Sequence, residues 1–131
     1  VARRAGFILV DTKYEFGRDP ETGEIVLIDE VHTPDSSRFW GYNTYEEKMS
    51  KGESPDIYDK EFMRLWFTSL GYKGEGEPPK IPEEVILEFR KRYVSVYEGL
   101  THKKLVIAEG DVNGRIATNI QLWLVNNHTI K

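Results

Sequence analysis

FILVDTKYEFGRDPETGEIVLIDEVHTPDSSRFW, residues 7–40, is the stretch on which the fold turns. It opens with an apolar run, Phe7–Val10, and passes into alternation, Asp11, Lys13 and Glu15 against Thr12, Tyr14 and Phe16. Side chains of a strand point to opposite faces with period two, so the three charged residues share one face, each about 6.6 Å from the next. Asp19-Pro20 and Gly23 signal a turn, and a second apolar run, Ile25–Ile28, ends on Asp29-Glu30. The pattern predicts a β-hairpin over Phe7–Gly17 and Glu24–Val31, with acidic groups gathered at its strand ends. Its cross-strand register is left open by the sequence. Thr33-Pro34-Asp35-Ser36-Ser37-Arg38 then reads as a loop closed by Phe39 and Trp40. Small hydroxyls, backbone donors and one Arg suit a phosphate or carboxylate.

Two readings of these charges stand side by side. Alternating charge is the ordinary wet face of an antiparallel sheet, and Ser-Ser-Arg is common in loops. Against that, Asp11, Glu15, Asp29, Glu30, Lys13 and Arg38 all fall within residues 11–38. Hard cations such as Mg²⁺ take one or two carboxylates plus the phosphate oxygens of a substrate, and such a cluster can supply them.

Outside this stretch, the composition sets bounds. A chain of 131 residues, 39% hydrophobic and with three Trp, is long enough for one modest core and too apolar for disorder. A net charge of −4 and a pI near 5.4 give no overall attraction for nucleic acid or acidic membranes. With no cysteine, disulfides and thiolate metal sites are excluded, and a cytoplasmic protein is the simple reading. No signal peptide or bilayer-length apolar run is present in the sequence. The start at Val1, without Met, fits a fragment of a longer protein.

Residues 1–6 read as the end of a helix stopped by Gly6. Residues 41–58 are irregular, with a short helix over Tyr45–Met49. Asp59 caps a helix reaching Leu70, with Phe62, Leu65, Trp66 and Leu70 at helical spacing. Pro82 and Glu83-Glu84 start the strongest helix, whose stripe is Val85/Ile86, Phe89, Tyr93, Val96/Tyr97 and Leu100. Arg90-Lys91-Arg92 reads as a solvated face. Leu105–Ala108 and Ile116–Val125 read as strands about an Asp111–Gly114 turn. Asn127-His128-Thr129 matches a glycosylation sequon without further meaning. The expected fold class is α+β, an antiparallel hairpin with two helices packed on one face.

Asp11-Thr-Lys-Tyr-Glu-Phe-Gly17, Leu27-Ile-Asp-Glu-Val31 and Thr33-Pro-Asp-Ser-Ser-Arg-Phe-Trp40, in that order, closely resemble the C-terminal half of the SAICAR synthetase family. The similarity continues through Tyr58–Phe62, the Pro-rich stretch at Pro78, Arg92-Tyr93 and Tyr97–Thr101. It divides the chain into a family-like domain over 1–103 and an unmatched, β-rich extension over 104–131.

The resemblance implies an ATP-dependent ligase of de novo purine biosynthesis. Such an enzyme joins CAIR to L-aspartate through an acyl phosphate and gives SAICAR. It implies that Glu15 and Asp29 bind Mg²⁺, that Asp11 and Lys13 are catalytic, and that Ser37, Arg38 and Asp35 bind substrate. Alternatives stay open at two of these positions. Lys13 orients the transferring phosphoryl group or holds the two acids apart; Asp35 receives a substrate group or caps the loop. Phe39 and Trp40 read as packing, Glu30 as a support for the ligands, His32 as either a base or a charge partner and outside the catalytic set, and Asp59 and Lys60 as a cap and a surface lysine. Thr33 and Ser36 take no role. The family's ATP-covering N-terminal lobe is missing from this sequence, so a complementary N-terminal half or a homo-oligomer is the expected partner. A non-catalytic, Mg²⁺-dependent module that binds a phosphorylated metabolite is the competing reading, and a structural domain with surface charge pairs is the third.

Overall fold

The computed structural model describes residues 1–127. A short 3-10 helix (Ala2–Ala5) ends at Gly6, whose φ of 83° is the left-handed stop that glycine accepts at little cost. Strand β1 (Phe7–Thr12) pairs antiparallel with β4 (Ser37–Gly41), and β2 (Glu15–Arg18) pairs antiparallel with β3 (Ile25–Ile28). Helices α1 (Tyr45–Ser50), α2 (Glu61–Ser69), α3 (Glu83–Thr101) and α4 (Val112–Asn127) complete the order. The α+β class and the small antiparallel sheets agree with the expectation.

The strand pairing corrects it. The first strand does not run unbroken to Gly17, and its partner is β4 rather than residues 24–31. β1 keeps its ladder only to Thr12, opposite Ser37, where the partner chain turns away into residues 33–36. The backbone re-enters a sheet at Glu15, opposite Ile28. No single strand therefore carries Asp11, Lys13 and Glu15. Ser37 and Arg38 are strand residues, not loop residues.

The core explains this choice. Phe7 of β1 meets Phe39 of β4 edge-on at 6.3 Å and Tyr58 at 5.0 Å, and Val96 of α3 closes the cluster. Phe39 and Val96 are 1% exposed, whereas every residue of β3 is exposed. Aromatic burial thus outweighs the short sequence separation that favoured a simple hairpin. The β2–β3 turn is built locally: Asp19 Oδ1 accepts the N–H groups of Glu21 (2.8 Å) and Thr22 (2.9 Å), and Gly23 takes φ 74°.

Helix α2 stacks Phe62 on Phe89 of α3 (6.2 Å), and α3 brings Gly99 against Phe7. Arg90 and Lys91 are exposed, but Arg92 is not part of a solvated face. Its guanidinium donates to Glu88 and the Ile57 carbonyl and lies 4.4 Å from the Phe62 ring centre. The predicted C-terminal strands are a second correction. Residues 105–108 form no strand, and residues 112–127 are helical. Ile116, Ile120 and Trp123 recur at helical spacing, a period that β propensity masked. Asp111 caps this helix through Asn113 N–H (3.1 Å) and Gly114 N–H (2.8 Å). The sequon extends outside the described residues. No described helix is long and apolar enough to cross a membrane.

Candidate functional site

The β1–β4 ladder carries a bulge at Val10. Leu9 faces Phe39, but the next paired residue is Asp11, which faces Arg38. One extra residue on β1 shifts the parity of the strand and sets the carboxylate opposite the guanidinium, at 3.4 Å. Along β4, Ser37 and Phe39 turn inward while Arg38 stays exposed. Ser37 is 6% exposed, and its hydroxyl is hydrogen-bonded to Thr12 Oγ1 at 2.8 Å.

The segment before β4 is tied by a reciprocal pair. Ser36 N–H donates to Thr33 Oγ1 and Thr33 N–H donates to Ser36 Oγ, both at 3.1 Å. Thr33 Oγ1 also donates to Glu30 at 3.2 Å. Thr33 and Ser36, to which no role was assigned, close this turn. Asp35 does not cap it, and its carboxylate faces Lys60 at 3.6 Å.

Asp59 locks β4 to α2. Its Oδ2 accepts the Phe39 N–H and its Oδ1 the Glu61 N–H, both at 2.8 Å. Only 3% exposed, it has its carboxyl pushed up by burial, against the pull of those two N–H groups. The cap was legible in the sequence; the bond to Phe39, twenty residues away, was not. Tyr93 of α3 reaches back to the Pro34 carbonyl at 3.4 Å. Burial, then the nearby carboxylates of Asp35, Asp59 and Glu30, push its hydroxyl up to about 12.

Asp11, Asp35, Ser36, Ser37, Arg38, Asp59, Lys60 and Glu61 line one cavity of about 180 Å³. Four of the seven predicted site residues, Asp11, Asp35, Ser37 and Arg38, meet there. Lys13, Glu15 and Asp29 gather separately at the start of β2. Lys13 Nζ donates to Glu15 Oε1, and Asp29 follows Ile28, the residue paired with Glu15. The Glu15 contact and then the Asp29 charge raise the Lys13 ammonium above its ordinary range. Lys13 bonds Glu15 and feels only the charge of Asp29, and two such carboxylates are donors of the kind a hard cation takes together with phosphate oxygens. Among the described residues no three Asp, Glu or His side chains converge as a complete metal site. Tyr14 Oη and His32 Nε2 are hydrogen-bonded at 2.9 Å, and His32 Nδ1 is buried without a partner. A larger cavity, about 590 Å³, is lined by groups such as Leu9, Val31, Phe39 and Leu100 and presents no Asp, Glu, Lys or Arg side chain.

Known proteins share this arrangement of segments. Residues 1–81 match the SAICAR synthetase family profile. The phosphoribosylaminoimidazole-succinocarboxamide synthase of Legionella pneumophila (strain Paris) is 52% identical over 128 residues, 95% of this chain and 40% of that protein. The chloroplastic synthase of Arabidopsis thaliana is 47% identical over 91% of this chain and 29% of its own length. The solved structure of the SAICAR synthase from Saccharomyces cerevisiae complexed with SAICAR superposes with a TM-score of 0.65 at 45% identity, covering 81% of this chain and 34% of that one. This chain spans about two fifths of the length of the bacterial relative. With the family profile spanning residues 1–81, more than half of its length, the chain belongs to the SAICAR synthetase family.

Proposed function

We propose that this chain carries the phosphate- and metal-binding part of an ATP-dependent ligase of de novo purine biosynthesis, which joins CAIR to L-aspartate to give SAICAR. The observation that carries this reading is the Asp11–Arg38 register, which sets two of the three family-like segments side by side over one cavity. The yeast relative named as complexed with SAICAR supports the same reading.

A free carboxylate resists amine attack because its oxygen leaves poorly. In the proposed reaction a CAIR carboxylate oxygen attacks the γ-phosphorus of ATP and ADP departs. The aspartate amine then displaces phosphate from the acyl phosphate and loses a proton. Such a reaction rests on positioning and charge neutralisation. Arg38 would grip the sugar phosphate of CAIR through its planar fork, and the exposed Asp11 carboxylate 3.4 Å away leaves the donors of that fork unspent. Lys13 would neutralise the transferring phosphoryl group and keep Glu15 oriented. Glu15 and Asp29 would hold Mg²⁺, which supplies charge neutralisation at the ATP phosphate oxygens.

The test is SAICAR formation from CAIR, aspartate, ATP and Mg²⁺. It is run with this chain alone and with the separately expressed N-terminal remainder of the Legionella relative. Product formation that depends on Arg38 is the expected result. Ligand binding without product in either arrangement, with both chains folded and associated, overturns the ligase reading in favour of a non-catalytic module.

A further inference from the structure

Eight ion pairs join the described residues, and six of them are closed by a hydrogen bond of 2.8 Å or shorter. The two exceptions sit on one cavity. Arg38 stands 3.4 Å from Asp11 and Lys60 stands 3.6 Å from Asp35, and neither contact is a hydrogen bond. Both cations therefore keep donors unspent, and the partners are exposed enough that water screens the attraction. Between them the backbone is fixed: Asp59 pins the start of α2 to β4, and Thr33 and Ser36 tie the turn that presents Asp35. A rigid frame thus holds two loosely engaged cations over a polar pocket.

We propose that Lys60 is a second phosphate-binding arm of this site, parked on Asp35 until a sugar phosphate draws it across to the side on which Arg38 binds. This rests on the sugar-phosphate reading above and adds a residue and an exchange to it. A phosphate dianion offers oxygens enough for a guanidinium fork and an ammonium together, at a shorter and stronger contact than either carboxylate now makes. The Lys60 stem, 65% exposed, is free to swing. The remaining carboxylates do not block the ligand. Glu61 is turned to Arg64 at 2.7 Å, and Asp59 is spent on its two N–H groups.

The experiment is calorimetric titration of the folded chain with ribose 5-phosphate, with ribose as the control. Variants are Arg38→Ala, Lys60→Gln, Lys60→Arg and Asp35→Asn. Loss of one charge-assisted contact weakens binding about tenfold or more, so Lys60→Gln is expected to lose that much and to flatten the salt dependence. Lys60→Arg is expected to keep the affinity, and Asp35→Asn to tighten binding by freeing the lysine. If Arg38→Ala abolishes binding while Lys60→Gln leaves it unchanged, the second arm is wrong and the site stands. Weaker binding by Asp35→Asn overturns the parking role. No saturable binding by the unsubstituted chain, or equal binding of ribose, overturns the phosphate site itself.

Discussion

Asp11 and Arg38 face each other in the β1–β4 ladder only because Val10 is bulged out; an unbroken register would set Val10 opposite Arg38 instead. The pair links local backbone irregularity to chemistry, since it brings the charge of one family segment onto the other. At 3.4 Å, with both side chains about half exposed, it contributes little to stability. Exposed pairs of this kind are worth roughly 0.2–1 kcal/mol.

The first prediction separates those two roles. Asp11→Asn and Arg38→Ala should each change the unfolding free energy by less than about 1 kcal/mol, with a coupling of the same small size in a double-mutant cycle. Arg38→Ala should nevertheless lower sugar-phosphate affinity by at least about tenfold. Urea denaturation and ligand titration on the same four proteins check this. A large stability loss with unchanged binding would make the pair a structural strut.

Asp59 should behave in the opposite way. Its carboxylate satisfies the Phe39 N–H in the core and caps α2, so Asp59→Ala strands a buried donor and uncaps a helix at once. The expected loss is about 2–4 kcal/mol. Asp59→Asn retains one acceptor oxygen and should recover part of it, as thermal unfolding would record.

What could be read in advance divides along the range of the interactions. The Gly6 stop, the Asp59 cap, helix α3 and the Asp19–Gly23 turn depend on neighbours within a few residues, and their signals are local. The β1–β4 pairing depends on Phe7, Phe39, Tyr58 and Val96 meeting across the chain, which no short pattern encodes. The site residues were legible as types, and the family resemblance singled them out. Their division into an Arg38 pocket and a Lys13–Glu15–Asp29 cluster was not legible, because it follows from the strand break at Lys13-Tyr14. Lys60 was passed over because a surface lysine next to a helix start carries no mark; only its place across from Asp35 gives it one.

Acid should expose two opposed carboxylates. The Lys48 ammonium and the Thr44 hydroxyl, each at 2.6 Å, hold the Asp56 carboxyl below its ordinary value of 3.8. Such a group contributes stability that is fully present above 3.8 and is lost as pH falls through its lowered folded value. Asp59, raised by burial, has the reverse sign: its contribution is full below 3.8 and declines as pH rises toward its folded value. In urea unfolding from pH 2 to 7, Asp56→Ala should flatten the acid limb, and Asp59→Asn should remove the decline above it. The same slopes in all three proteins would rule out both assignments.

Packing at the far end of α3 gives a prediction independent of the site. A Cβ on Gly99 would stand 2.8 Å from Phe7 Cε2 and 3.3 Å from the Ala5 carbonyl oxygen. Replacing a helix-interior glycine with alanine normally gains about 1 kcal/mol. Here the neighbour is a core ring backed by Phe39 and Tyr58, and overpacking costs about 1–3 kcal/mol. Gly99→Ala should therefore be destabilising on balance. A raised melting temperature would mean that the ring yields freely.

The last prediction concerns the acids at the start of β2. Asp29 has φ 66°, a conformation that Asp and Asn tolerate and Ala does not, so Asp29→Asn removes the charge without adding backbone strain. With Glu15→Gln it should weaken Mg²⁺ binding, measured with ATP present, by about tenfold or more, at a stability change within about 0.5 kcal/mol. Lys13 supplies the sharper comparison. It bonds Glu15, feels the charge of Asp29 and so competes with a cation there; Lys13→Met should tighten Mg²⁺ binding while slowing ATP-dependent product formation. Were Lys13 merely a strut, Lys13→Met would loosen Mg²⁺ binding along with the acid variants, because the two carboxylates would drift apart. The direction of that one change in affinity decides between the roles.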